Sequence, residues 1–545
     1  MNRARPILRI IGLWRAQRAA LAAGVIVALA ALAAGVALMA GAGRYIAAAT
    51  LGIGLAVPAA LEALGVARVA LRYFERLVTH DATFRALTAL RIWFFRGLAR
   101  SAAGGLGYRR AGDVLARLVN DIEALDGIFL RILVPGFGAL MLIPVLLFVV
   151  GREDAAAAAI VLALFALIAF LFPWRAMGAA RRSAEAEAQA GGALRVAALD
   201  ALSGLREVKV YGAEGRMLAA IQAQESRLFG AERMLAARAG AMQAVSFLAA
   251  QAALLAVLLI HGARPVAIVI AVFVAIAAFE AVGAMPRAGV IAGRASAAAT
   301  RVLEAAEAPP RVADPASPAA MPVAHGLSFD EVTFRWSATL PPVFDGLSLQ
   351  VPAGSRIAVL GPSGAGKSTL AALALKLAEP EAGEIRLGGV DIARLNAADV
   401  RTRVAWLSQA THLFADTVRN NLLLARPDAS EAELWAALDA ARIGDVVRAL
   451  PDRLDAWVGE QGVLFSGGQG RRLALARTLL SPAPVLILDE PCSGLDIETE
   501  REFMSTLNET LAGRTVLLIA HRLTGVEKFD RIWRMQNGRV IAATR

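Results

Sequence analysis

The sequence predicts a multidomain membrane protein, helical and membrane-spanning up to about residue 300 and α/β from residue 326 to the end. Three observations carry that prediction. The 545 residues are 57% hydrophobic and 19% charged with a mean hydropathy of +0.56, which excludes a disordered chain, a collagen-like chain and an ordinary soluble enzyme. In the first half, apolar runs of about 20 residues, long enough to cross about 30 Å of hydrocarbon, alternate with Arg-rich stretches. In the second half, short β-type runs alternate with helical segments.

Six spans are expected, near residues 21–41, 47–66, 129–150, 155–172, 239–261 and 265–285. Very short connections follow the first, third and fifth. Polar, Arg-rich stretches of roughly 60 residues follow the second and fourth, which places them in the cytoplasm with the N-terminus, where Arg3, Arg5, Arg9, Arg15 and Arg18 precede the first span. The 57 Lys and Arg against 46 Asp and Glu, a net charge of +11, are explained by this topology, so lipid and not nucleic acid is the expected partner. Residues 7–21 begin as an amphipathic helix on the inner membrane surface. The two long stretches keep helical spacing and break only at 104–112 and at Ser203-Gly204, bends that suit contact with another domain or simply turn a helical hairpin. A single cysteine, Cys492, excludes an intramolecular disulfide and a Cys-cluster metal site.

Residues 301–325 shift to Ala, Pro and Glu, with Pro309, Pro310, Pro315, Pro318 and Pro322, and read as a linker between a membrane domain at 1–300 and an α/β domain at 326–545. Beyond it, residues 356–360 form a buried-strand run followed by Gly361, Pro362, Ser363, Gly364, Ala365, Gly366, Lys367, Ser368 and Thr369, then a helix-like segment. This is G-x-x-x-x-G-K-S in its strand–loop–helix context. Its glycines let backbone N–H groups close around phosphate oxygens while the helix N-terminus points at the same anion. Lys367 is placed for the β- and γ-phosphates and Ser368 for Mg²⁺. A second apolar strand, 485–488, ends in Asp489, placed to hold Mg²⁺, and Glu490, placed to orient or deprotonate the attacking water.

With these residues in place, the second half resembles the ATP-binding cassette (ABC) family. Phe465, Ser466, Gly467, Gly468 and Gln469 resemble its signature motif, with Phe for the usual Leu. Gln409 resembles the Q-loop glutamine, Asp496 the D-loop aspartate, and His521 the switch histidine. Trp336 falls where the family stacks an aromatic ring on adenine, and Val458-Gly459-Glu460 resembles the X-loop of exporters. The resemblance implies a six-helix ABC exporter transmembrane domain followed by an α/β P-loop cassette that uses ATP and Mg²⁺. Glu490, His521 and Gln409 are then the catalytic groups, Ser368, Gln409 and Asp489 the metal-binding ones, and the signature closes on ATP held by another subunit. One membrane domain and one cassette make a half-transporter.

In the membrane half, residues 72–84, 90–95, 112–121 and 124–126 resemble the CydC-type subunits of heterodimeric thiol-reductant exporters. The match departs at 39–45, where those chains usually carry a Ser-Gly-Trp-Phe-like segment. The resemblance implies a CydD-like partner, cysteine or glutathione as cargo, an inner-membrane location and support of cytochrome bd assembly. Haem transport or haem regulation is the competing account, and a lipid or drug flippase shares every cassette motif. Glu62 and Glu280 lie within or near apolar spans, where an acid faces a cavity or an Arg partner. His80 either ligates the iron of a haem b through a neutral ring nitrogen or is simply hydrogen-bonded to its neighbours. Cys492 reads as a small packing residue.

Overall fold

The structure, a computed structural model, describes residues 5–50, 59–101, 117–260, 264–310, 312–459, 464–492, 500–501, 504–505, 511, 513–523, 528–536 and 538–543. The chain falls into two compact units that divide between Pro309 and Pro310.

The first unit is all helix. Helix α1 (Arg5–Leu13) leads through a 3₁₀ turn into α2 (Arg18–Thr50), which is followed by α3 (Ala59–Ser101). After π-helical turns at Arg117–Asp121 and Ile128–Leu133 come α4 (Val134–Gly151), α5 (Ala155–Ala166) and α6 (Phe172–Ser203). The short α7 (Leu205–Val210), α8 (Glu214–Leu258), α9 (Pro265–Val282) and α10 (Met285–Ala306) complete it. Among the described residues, five helical stretches are long and apolar enough to cross a membrane: 5–50, 128–151, 155–203, 214–258 and 265–306. The expected second span runs through residues 51–58, outside the described residues, and so do the bend at 104–112 and His261.

Two boundaries differ from expectation. The turn placed at residues 42–46 does not exist, because α2 continues unbroken to Thr50. Gly43 within it and Gly41 just before it serve packing instead. A Cβ on Gly41 would lie 2.6 Å from Leu61, and one on Gly43 3.2 Å from Phe273 of α9, so both glycines let neighbouring helices approach closely. The linker also starts later than Arg301, since α10 runs to Ala306 with Val302, Ala305 and Ala306 buried. The alanines at the end of α10 read as featureless composition but are its packing face.

The expected break at Ser203-Gly204 is present, with Gly204 capping α6 and opening α7. Asp154 caps α5 by accepting from the Ala156 and Ala157 amides at 2.7 and 3.0 Å, which closes the short connection after α4. Ile10 and Trp14 are almost completely buried in a cluster with Leu90, Phe94, Ile122, Leu125 and the alanines of α10, so the N-terminal helix is fastened to protein. Helix α10 lies directly on α6: a Cβ on Gly293 would stand 2.7 Å from Ala180 Cβ and 2.9 Å from the Met177 carbonyl, and one on Gly289 would collide with the Pro173 carbonyl. The Gly-x-x-x-Gly spacing makes that approach possible. Arg301 on α10 donates to both carboxylate oxygens of Asp121, at 2.6 and 3.0 Å.

The second unit holds two sheets. Strands β1 (Leu327–Phe334), β2 (Phe344–Val351), β4 (Ala382–Leu387) and β5 (Val390–Asp391) form an antiparallel sheet in the order β2-β1-β4-β5. The larger sheet, in the order β10-β9-β3-β8-β7-β6, contains β3 (Arg356–Leu360), β6 (Val404–Leu407), β7 (Val485–Asp489), β8 (Thr515–Ala520), β9 (Arg531–Gln536) and β10 (Arg539–Ala543). Only β10 runs antiparallel to its neighbour in that sheet. Its central strands are continuous apolar runs because both faces are covered: Ile357, Ala358 and Val359 of β3 and all of Val485–Leu488 of β7 are buried. Four adjacent parallel strands, β3, β8, β7 and β6, therefore end at one edge, the place where open α/β sheets bind ligands.

Candidate nucleotide site and family

Each of those four strands delivers a sequence-predicted group. Strand β3 opens into the loop 361–366, which leads into α11 (Lys367–Ala374). The loop's geometry depends on its glycines. Gly364 and Gly366 have φ of +81° and +96°, and a Cβ on Gly366 would meet Val343 at 2.6 Å and Phe344 at 2.8 Å. A Cβ on Gly361 would lie 2.6 Å from the Met535 carbonyl. The Ala365 amide donates to the Pro362 carbonyl across the turn that contains Ser363, at 3.3 Å. Lys367 Nζ donates to the carbonyls of Gly361 and Pro362 at 2.7 and 2.9 Å, which centres the ammonium within the loop. Burial lowers its pKa below the ordinary lysine value, against the opposing pull of Glu490 and Asp489.

Strand β7 brings Asp489 and Glu490 to the same edge. Ser368 Oγ donates to Asp489 Oδ2 at 2.5 Å, so a hydroxyl and a carboxylate meet where α11 begins. Burial raises the Asp489 pKa above the ordinary aspartate value; the Ser368 hydrogen bond works the other way. This hard oxygen pair fits Mg²⁺, which keeps most of its octahedral shell as water and substrate phosphate and takes only one or two protein oxygens. Among the described residues there is no group of three or more His, Cys, Asp or Glu that could hold a metal ion.

Glu490 sits at φ +50°, an uncommon backbone conformation for a non-glycine residue, fixed by its amide donating to the Ile519 carbonyl of β8 at 2.8 Å. Its carboxylate is held from two sides. His521, at the end of β8, places Nε2 2.6 Å from Oε1, and Gln409, just past β6, donates from Nε2 to Oε2 at 3.2 Å. Gln409 thus meets the candidate base and not the Ser368–Asp489 pair with which the sequence grouped it. Trp336 packs edge-on against Phe334 at 5.0 Å and donates from Nε1 to Thr369 Oγ1 at 3.3 Å, which sets an aromatic ring beside the phosphate loop.

The signature segment opens helix α12 (Gly467–Leu480). Ser466 and Gln469 form a reciprocal cap: the Gln469 amide donates to Ser466 Oγ at 3.3 Å, and the Ser466 amide donates to Gln469 Oε1 at 2.9 Å. Phe465 is buried and anchors the segment in the helical core, while Ser466 and Gly467 are exposed and Gly468 is partly so. Asp496 and Glu460 lie outside the described residues. Cys492 is partly buried against the same core.

One residue that sequence reading missed is Arg471. Its guanidinium donates to the backbone carbonyls of Asp489, Glu490 and Gln409, the last at 2.7 Å. It therefore ties α12 to both strand ends that carry the chemistry. The available signal was an arginine within a turn and a half of Ser466, on the helix that the signature opens.

In the membrane half, Glu280 of α9 lines a cavity of about 380 Å³, whereas Glu62 is exposed elsewhere on α3. His80 is exposed, with its Nδ1 2.9 Å from the Arg76 carbonyl and its ring edge-on to Phe84 at 6.3 Å.

Comparison with known proteins agrees with this layout. The ABC transporter model matches residues 344–493, and the ABC transporter transmembrane region model matches residues 57–281. The glutathione/L-cysteine transport system ATP-binding/permease protein CydC of Escherichia coli K12 is 36% identical over 484 residues, covering 87% of this chain and 84% of that protein. The ATP-dependent lipid A-core flippase of Chromobacterium violaceum is 42% identical, but over only 45% of this chain and 42% of its own length. A bacterial Atm1-family ABC exporter solved with ATP bound superimposes with a TM-score of 0.86 at 26% identity, covering 96% of this chain and 94% of the other. The chain therefore belongs to the ABC exporters, in their CydC-like branch, as a multi-pass subunit whose ATPase domain drives transport.

Proposed function

We propose that this chain pairs with a CydD-like half-transporter in the bacterial inner membrane and exports thiol reductants, cysteine or glutathione, in support of cytochrome bd assembly. The observation that carries this reading is the extent of the similarity. It spans both halves for a relative that transports glutathione and L-cysteine, and less than half of the chain for the lipid flippase. The positive charge beside the spans supports a cytoplasmic N-terminus and cassette.

In this reading the phosphate loop binds ATP through its amides and Lys367, and Trp336 stacks on the adenine. Ser368 and Asp489, with Gln409 as the remaining candidate, would hold Mg²⁺, which would supply charge neutralisation at the phosphates. Glu490, gripped by His521 and Gln409, takes the proton of the attacking water. The capped N-terminus of α12, with Ser466 and Gly467 exposed and Gly468 partly so, presents a second anion site to the ATP of the partner subunit, and the family resemblance assigns Asp496, as the D-loop aspartate, to the same nucleotide. The chain alone should then show little thiol-stimulated ATPase, and co-purification with its partner should restore it. A homodimer with full thiol-stimulated turnover would refute the pairing.

A second reading, haem binding, is favoured by one contact. Nδ1 of His80 lies 2.9 Å from the Arg76 carbonyl, so that side of the ring is engaged with the backbone and Nε2 is the nitrogen left to meet an iron. Arg76, one turn earlier, is available to pair with propionates. Haem titration of the purified complex should give a Soret band that His80→Ala weakens or shifts with basal ATPase retained; an unchanged spectrum would remove His80 as a ligand.

A further inference from the structure

The cavity in the membrane unit is bounded by α2, α3, the start of α4 and α9, and most of its wall is Ala, Leu, Val, Gly and Pro. Four ionisable groups interrupt that wall: Arg68, Arg72 and Glu75 from α3, and Glu280 from α9. Charges among apolar helices are costly and mark ligand or ion sites unless they neutralise one another. Here they do so incompletely. Arg72 and Glu75 form only a loose pair at 3.9 Å. Among the described residues, the side chains of Arg68 and Glu280 have neither an ion-pair nor a hydrogen-bond partner. Arg68 is partly buried and lies over α2 at Gly35, where a Cβ would be 3.5 Å from its Nε.

A cavity with two cations and two anions has no net charge to offer a simple anion or cation. What it matches is a ligand that carries both signs close together. We propose that this cavity binds the α-ammonium and carboxylate of an amino acid or small peptide, with Arg68 on the carboxylate and Glu280 on the ammonium. Its volume of about 380 Å³ sits at the small end of ligand pockets, which run from ~300 to ~1,000 Å³. Among the described residues its wall contains no Cys or His, and Met39 supplies the one sulfur. The site therefore reads the zwitterion and not the thiol. The choice of cysteine and glutathione as probes rests on the export reading above, and the proposal names what that export site recognises.

The test uses the full complex with its partner, reconstituted in nanodiscs, and equilibrium binding of labelled L-cysteine and labelled glutathione. Competitors are L-serine, which lacks the thiol, cysteamine, which lacks the carboxylate, and 3-mercaptopropionate, which lacks the ammonium. Wild type should accept serine within a few-fold of cysteine and disfavour the two truncated thiols by about tenfold or more, the scale of a lost charge-assisted hydrogen bond. Arg68→Gln should erase the penalty against cysteamine alone, Glu280→Gln the penalty against 3-mercaptopropionate alone, and Arg68→Lys should keep most of the wild-type profile. Retained ATP binding checks folding. Whichever of the two labelled probes binds more tightly identifies the source of the zwitterion. No binding by wild type, equal affinity for cysteine and cysteamine, or a uniform loss in either variant would overturn the proposal. ATP-dependent thiol uptake by the same preparations separates the two ideas. Normal uptake with an unaltered profile in both variants removes this site and leaves the exporter, while matched profile changes without thiol uptake remove the exporter and leave the site.

Discussion

The cassette and the membrane half treat charge in opposite ways. At the nucleotide site the reactive groups are already held: Asp489 by Ser368, Glu490 by His521 and Gln409, and the strand ends beneath them by Arg471. In the membrane cavity Arg68 and Glu280 have no partner among the described residues, and Arg72 meets Glu75 at 3.9 Å. Hydrolysis has the same geometry in every cycle, so preorganised groups lower its barrier without reorganisation. A transport cavity must bind and then release, and charges already satisfied by one another would have little left for a ligand.

Perturbing the two regions should separate these behaviours. The largest effect is expected from Glu490→Gln, which should bind ATP normally yet lose turnover by about 10²–10⁴-fold, the contribution of a positioned base. Single-turnover hydrolysis at the composite site with this phosphate loop, alongside nucleotide binding, tests it; near wild-type turnover would release Glu490 from its role. Arg471→Met should strand several buried carbonyls and cost the cassette on the order of 3 kcal/mol. Thermal or chemical denaturation followed by cassette tryptophan fluorescence measures that loss, and an unchanged midpoint would mean the clamp is dispensable.

In the membrane half the sensitive positions should be small residues. Gly289→Ala and Gly293→Ala push a methyl into the backbone of α6 and should each destabilise that unit by about 1–3 kcal/mol. ATP affinity should stay unchanged, as detergent melting curves read beside nucleotide titrations would show. The smallest effect concerns pH. Because burial holds the Asp489 pKa above that of an unfolded aspartate, the folded state binds this proton more tightly. The group therefore favours the apo fold at low pH and loses that contribution as pH rises through the raised value. Mg²⁺-dependent ATP binding should run the other way, failing on acidification while an exposed aspartate is still ionised. Asp489→Asn should flatten both dependences in apo melting and Mg²⁺ titrations, leaving the apo cassette at least as stable as wild type.

The same contrast explains what was legible in the sequence. A phosphate loop is a local object: Gly364, Gly366, Lys367 and Ser368 act within one turn of one another, so their spacing announces them. Asp489 and Glu490 are likewise announced by the apolar strand that ends in them. Arg471 escaped notice because it works through the backbone of two distant strands, and no side-chain pattern records that. In the membrane half, hydropathy located the apolar runs but ended the first span at Gly41 and put Gly43 in a short connection, since a glycine for close packing and a glycine for chain reversal look alike in one dimension. Arg68 was absorbed into the polar stretch it begins. Only the continuous helix α3, with α2 and α9 beside it, turns that residue toward a shared cavity with Glu280.

The central claim, ATP-driven thiol export by a pair of unlike subunits, is tested most directly by uptake into inverted membrane vesicles. Vesicles carrying this chain and its CydD-like partner should accumulate labelled cysteine or glutathione with ATP and Mg²⁺, and should fail to do so with Glu490→Gln or without the partner. ATP hydrolysis with no thiol accumulation, or accumulation that persists in the Glu490→Gln complex, would contradict the account.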